Sequence, residues 1–133
     1  MPPSSSSPGF ARTVFRIAGV SGLLVLAPMY ALADYIGTQF PPAITQPIFY
    51  YGFVGVALAW QVAFLVMASD PVRYRPLMPV AVIEKLSFGL PMMILLAQGR
   101  VAPMLAAGGV IDLSLGVLFA IAYVRTPAQH VAV

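Results

Sequence analysis

The chain has 133 residues, of which 60% are hydrophobic and 8% charged, with a net charge of +3 and a mean hydropathy of +0.91. Soluble domains carry about a quarter charged residues, so this composition excludes a water-soluble globule and implies an integral membrane protein. The absence of cysteine excludes disulfides, thiol redox centres and thiolate metal sites, and the only histidine, His130, stands in the polar C-terminal segment. No histidine-built haem, zinc or iron site is available within an apolar stretch, and no cofactor is expected.

Residues 1–13 open with MPPSSSSPG, which has nothing to pack, and are expected to form a disordered tail. Four apolar stretches follow at residues 14–33, 48–68, 77–97 and 101–124. Each has about the 20 residues needed to cross a hydrocarbon core. A polar, proline-bearing segment, 34–47, joins the first two, and the short turns 69–76 and 98–100 join the others, leaving 125–133 as a polar C-terminal tail. Short connections place consecutive helices side by side, so the expected fold is all-α, a four-helix transmembrane bundle of antiparallel up-down topology. Ala31-Leu32-Ala33 after an apolar run imitates a signal-peptide cleavage site, but the run is longer than a signal h-region and is expected to stay as an anchor.

Arginines orient the chain. Arg12 and Arg16 stand at the start of the first stretch, Arg73 and Arg75 in the second connection and Arg125 after the fourth stretch, against Arg100 alone on the other side. The positive-inside bias then places both termini in the cytoplasm, and the high pI speaks for membrane orientation and lipid-phosphate contact instead of nucleic-acid binding. Tyr30, Tyr35, Phe40, Phe49, Tyr50 and Tyr51 gather at the outer ends of the first two stretches as part of an aromatic belt.

Polar groups inside the apolar stretches are the candidate site, because an ionisable residue within a span is costly and marks function by default. They are Gln61, Glu84, Lys85 and Asp112, with Ser87 nearby. Folding the chain about Arg73 sets Gln61 level with Lys85. Folding it between Gly99 and Arg100 sets Asp112 level with Ser87, with Lys85 about 3 Å deeper at a rise of about 1.5 Å per residue. Ser21 falls in the same region. Glu84 and Lys85 project about 100° apart, so they are expected to need separate partners. For Lys85 two solutions compete, snorkelling to the headgroups or a buried contact with Asp112 or Gln61. Glu84 is expected to be neutral or bonded to Gln61. Asp112 is too short to snorkel and costs about 2.5–3.5 kcal/mol at a span centre, so it is expected to bond Ser87 across the last two helices or to hold a ligand or proton.

Small residues suggest packing seams: Gly108, Gly116 and Ala120 beside Asp112, and Gly52, Gly55, Ala59 and Ala63 on the second stretch. Pro91 should kink the third helix. Arg73 and Arg75 read as a topology signal or a grip on lipid phosphate. Ser87 lacks a histidine partner, so a serine-nucleophile triad is not supported.

The runs Phe49-Tyr50-Tyr51-Gly52, Ala59-Trp60-Gln61, Asp70-Pro71-Val72-Arg73-Tyr74-Arg75-Pro76 and Glu84-Lys85 resemble short four-span proteins of bacterial inner membranes, broadly similar in size and layout to DoxX-like proteins. The resemblance implies a bacterial inner-membrane location and carries no activity with it. Two functional classes lead: a non-enzymatic structural or accessory bundle, and a binder or carrier of a lipophilic molecule such as a lipid or quinone, in a proton-coupled form if it exports. A membrane enzyme is disfavoured by the lack of histidine, cysteine and nucleotide motifs in the spans. Expected partners are membrane lipids, a lipophilic small molecule, and a second copy or another membrane protein.

Overall fold

A computed structural model describes residues 7–129. Its helices are α1 (Gly9–Leu26), α2 (Ala33–Gln39), α3 (Pro47–Ser69), α4 (Met78–Ala97) and α5 (Pro103–Arg125), with 3-10 turns at Ala27–Tyr30 and Arg75–Leu77. Among the described residues, four helical segments are long and apolar enough to cross a membrane: Gly9–Tyr30, Pro47–Ser69, Arg75–Ala97 and Pro103–Arg125. Their 22 or 23 residues span roughly 33–35 Å at the α-helical rise, against a hydrocarbon core of about 30 Å. The protein is a multi-pass membrane protein built as a helical bundle.

The first helix begins earlier than hydropathy suggests. Helix α1 starts at Gly9, just after Pro8, whose carbonyl accepts the Arg12 N–H at 3.0 Å. Ala11, Val14, Phe15 and Ala18 then form one buried face at helical spacing, so residues 9–13 belong to the bundle and not to a disordered tail. Residues 1–6 lie outside the described residues. The helix tightens into a 3-10 turn where Pro28 removes a backbone donor. The connection 34–47 contains the short helix α2, which its Gly37 and Pro41-Pro42 disguise in sequence. At the other terminus Arg125 is helical and Thr126 is buried, its hydroxyl donating to the Ala122 carbonyl at 2.7 Å. His130 lies outside the described residues.

One cluster holds the bundle together. It unites the start of α1, the end of α3, the start of α4 and the end of α5 through Phe15, Phe64, Met67, Met78, Ala81, Phe119 and Ala122. Phe15 stacks on Phe119 with centroids 4.3 Å apart, and Phe64 meets Phe119 edge-on at 5.0 Å. All three rings are fully buried. Such contacts between aromatic rings add about 0.5–1.5 kcal/mol each beyond area burial.

Helix α1 packs against α3 and α5, and α4 packs against α5. Helices α3 and α4, although consecutive, are not in extended backbone contact, which corrects the expectation that every neighbouring pair lies side by side. Large side chains bridge them instead, with Phe53 stacked on Phe88 at 5.4 Å.

Glycines set the two close helix pairs. A Cβ on Gly19 would lie 2.7 Å from Leu65 Cγ and 2.9 Å from the Gln61 carbonyl oxygen, and one on Gly89 would lie 2.7 Å from Leu113 Cγ. Between helices in lipid the hydrophobic effect offers little drive, so such backbone approach supplies the attraction. The expected seams hold in part, with Gly116 buried against Lys85 and Gly55 close to Tyr30. Gly109 is buried against Met92 while Ala120 is exposed, and Gly52 has no neighbour near its missing Cβ. Gly99, at φ +65°, ends α4 with paired backbone bonds from Gly99 N to Leu96 O and from Arg100 N to Leu95 O.

Replacing Gly19 by alanine forces the new methyl against a backbone carbonyl and should cost roughly 1–3 kcal/mol by overpacking. Gly52→Ala, facing open space, should cost nothing measurable; thermal unfolding of both variants in one detergent checks the pair.

Candidate intramembrane ionic site

Lys85 shares a face of α4 with Met78, Ala81 and Gly89, so its stem enters the bundle and not the lipid. Gly116 of α5 stands opposite, where an added Cβ would come 3.4 Å from Lys85 Cβ, and its bareness makes room for the lysine. Lys85 retains 4% exposure. Its Nζ donates to Asp112 Oδ1 at 3.1 Å and lies 3.2 Å from Glu84 Oε2. The ammonium is also 5.1 Å from the centroid of the Phe64 ring, which joins the ionic site to the aromatic cluster through a cation–π contact.

The result is an ion triplet of one ammonium between two carboxyl groups. Asp112 and Glu84 keep 18% and 16% side-chain exposure. Glu84 Oε2 is buried without a hydrogen bond, since its approach to Lys85 is close but poorly directed. The other contact is a directed bond from α4 to α5. In chemical terms the site sets one ammonium against two carboxyl groups inside the membrane. The Ser87 hydroxyl donates to the Glu84 backbone carbonyl at 2.7 Å and faces outward, so it offers no activated nucleophile.

Three expectations are corrected by this geometry. Glu84 and Lys85 do pair although they are sequence neighbours, because the 100° separation of their Cβ directions is closed by the length of both side chains. Gln61 is not part of the triplet: its Nε2 donates to Ala57 O at 3.0 Å and its amide packs against Gly22 of α1. Matching levels across the second turn misplaced it, since α3 leans on α1. Ser87 does not meet Asp112, and Ser21 is turned away as well, donating to Ile17 O at 2.6 Å. Lys85 takes the buried contact with Asp112 and does not snorkel. Phe64 escaped sequence reading because an apolar residue in an apolar span carries no mark, whereas Gly116 belongs to the small-residue stripe expected beside Asp112.

The two arginines of the second connection part company. Arg75 Nε donates to the Thr126 carbonyl at 2.7 Å and its guanidinium lies 4.0 Å over the Tyr123 ring, so it ties the end of α5 to the start of α4. Arg73 is exposed, 5.5 Å from the Tyr74 ring, and is free to face headgroups.

Removing the ammonium while keeping both carboxyls should be the most damaging single change. Lys85→Met is expected to cost about 3–5 kcal/mol, the usual penalty for leaving a buried charge without its partner. Adding Glu84→Gln and Asp112→Asn to that variant should restore most of the loss, which equilibrium unfolding in mixed micelles measures.

Comparison with known protein families, with curated proteins and with solved structures finds no match, so the chemistry of this chain is read from its own residues.

Proposed function

We propose that this protein is a non-enzymatic structural or accessory bundle of a bacterial inner membrane, with alternating antiparallel spans and both termini in the cytoplasm. The observation that carries the reading is the saturation of Lys85, whose single ammonium meets Asp112, Glu84 and the Phe64 ring at once. A cluster so occupied with itself is a tie between helices. Two cavities of the protein lie away from the triplet, against residues 33–51. The layout similar to DoxX-like proteins belongs to this proposal and adds no activity.

The orientation rests on the arginines. Arg12, Arg16, Arg73, Arg75 and Arg125 gather at the end where the aromatic cluster also lies, and Arg100 stands alone at the other. Reporter fusions should find the C-terminus cytoplasmic and the 34–47 segment external; an external C-terminus refutes the orientation.

A second reading, a binder of a lipid or quinone, is favoured by one specific observation, the buried Glu84 Oε2 without a directed bond. Native mass spectrometry of gently extracted protein separates the two. With a structural role, Glu84→Gln and Asp112→Asn retain the same bound molecules as wild type while Asp112→Asn lowers stability. Loss of a co-purifying lipophilic molecule in either variant transfers the site to the binding class.

A further inference from the structure

Beyond the last turn of α1, helix α2 and the start of α3 line an open cavity of about 420 Å3. Asp34, Gly37, Thr38, Ile44, Tyr50 and Tyr51 are among its walls. The chemistry of this lining is unlike that of the ionic site. Asp34 is exposed and has no ion-pair or hydrogen-bond partner among the described residues. The rings beside it are held in place: Tyr50 donates its hydroxyl to Met29 O at 2.7 Å, and Tyr51 stacks on Tyr30 at 6.0 Å and meets Tyr50 edge-on at 5.3 Å. A free carboxylate next to fixed tyrosine faces selects a cation with a small apolar skirt, which is the description of an ammonium group. It repels phosphate and carboxylate heads that carry net negative charge.

The position chooses the source of that ammonium. The cavity lies at the ends of two spans, where headgroups stand. Ile48 and Phe49 at the start of α3 are 76% and 71% exposed, an apolar surface that acyl chains cover. We propose that this cavity binds the ammonium headgroup of a zwitterionic phospholipid of the ethanolamine type, with Asp34 as the counter-ion, the tyrosine rings as cation–π walls and the acyl chains along Ile48 and Phe49.

The test uses the full chain in nanodiscs of equimolar phosphatidylethanolamine and phosphatidylglycerol, with retained lipids counted by native mass spectrometry. Wild type should hold phosphatidylethanolamine in several-fold excess. Asp34→Asn and Tyr51→Leu should fall toward parity, while Asp70→Asn, which alters a carboxyl group in the 69–76 turn, should keep the excess. Parity in wild type, or an undiminished excess in Asp34→Asn, overturns the proposal. Displacement of the retained lipid by free ethanolamine at low concentration overturns the assignment to a lipid, because the acyl chains would then contribute nothing.

Discussion

A bilayer has no water to solvate an unpaired charge, and the arrangement of α4 and α5 follows from the need to give Lys85 a partner. The lysine is buried to 4% exposure, so its ammonium requires an anion at hydrogen-bond distance, and Asp112 supplies one at 3.1 Å. That requirement fixes the rotation of both helices. It turns Gly89, Gly109 and Gly116 into the seam, where the absence of side chains brings the backbones close enough for the bond to form. The pair is thus electrostatic in specificity and steric in feasibility.

The ion triplet and the aromatic cluster are a single assembly. Phe64 carries the lysine on one side and Phe119 on another, and Phe119 stacks on Phe15, so α4 is linked to α1 through two intermediates on other helices. Arg75 repeats the theme at the periphery, where its guanidinium covers Tyr123 and satisfies the Thr126 carbonyl at the end of α5. Cation and ring thus meet in the bundle, at Lys85 and Phe64, and again at its edge, at Arg75 and Tyr123.

Hydropathy made the four spanning helices legible because each is apolar for about 20 residues. Their neighbours were not legible. In lipid a helix is apolar on every side, so no polar face announces which side meets protein. Counting outward from turns therefore worked where the turn truly joins packed helices, bringing Lys85 and Asp112 within one turn of each other, and failed across α3 and α4, which are held apart by Phe53 and Phe88. Residues 9–13 were read as tail because Pro and Ser dominate the composition before them, although Ala11 is buried and Phe10 packs against the core. Gln61 looked like a member of the ionic site by residue type and depth, yet an amide can satisfy itself on its own helix, as it does with Ala57.

The core is also lopsided, and this has a mechanical meaning. Beyond Gly19 in α1 and beyond Gly89 in α4 no residue is buried, and before Gln61 in α3 only Val54 is, while α5 buries Ala106 and Gly109 at that end. The bundle is a fork clamped at its handle, with two tines that are each a helix pair: α4 and α5 stay joined through Gly109 and Met92, and α1 and α3 through the Tyr50–Met29 bond and the Tyr30–Tyr51 stack. Parting the α1–α3 pair from the α4–α5 pair at that end would break the Phe53–Phe88 stack, whereas parting them at the handle would break the whole aromatic cluster.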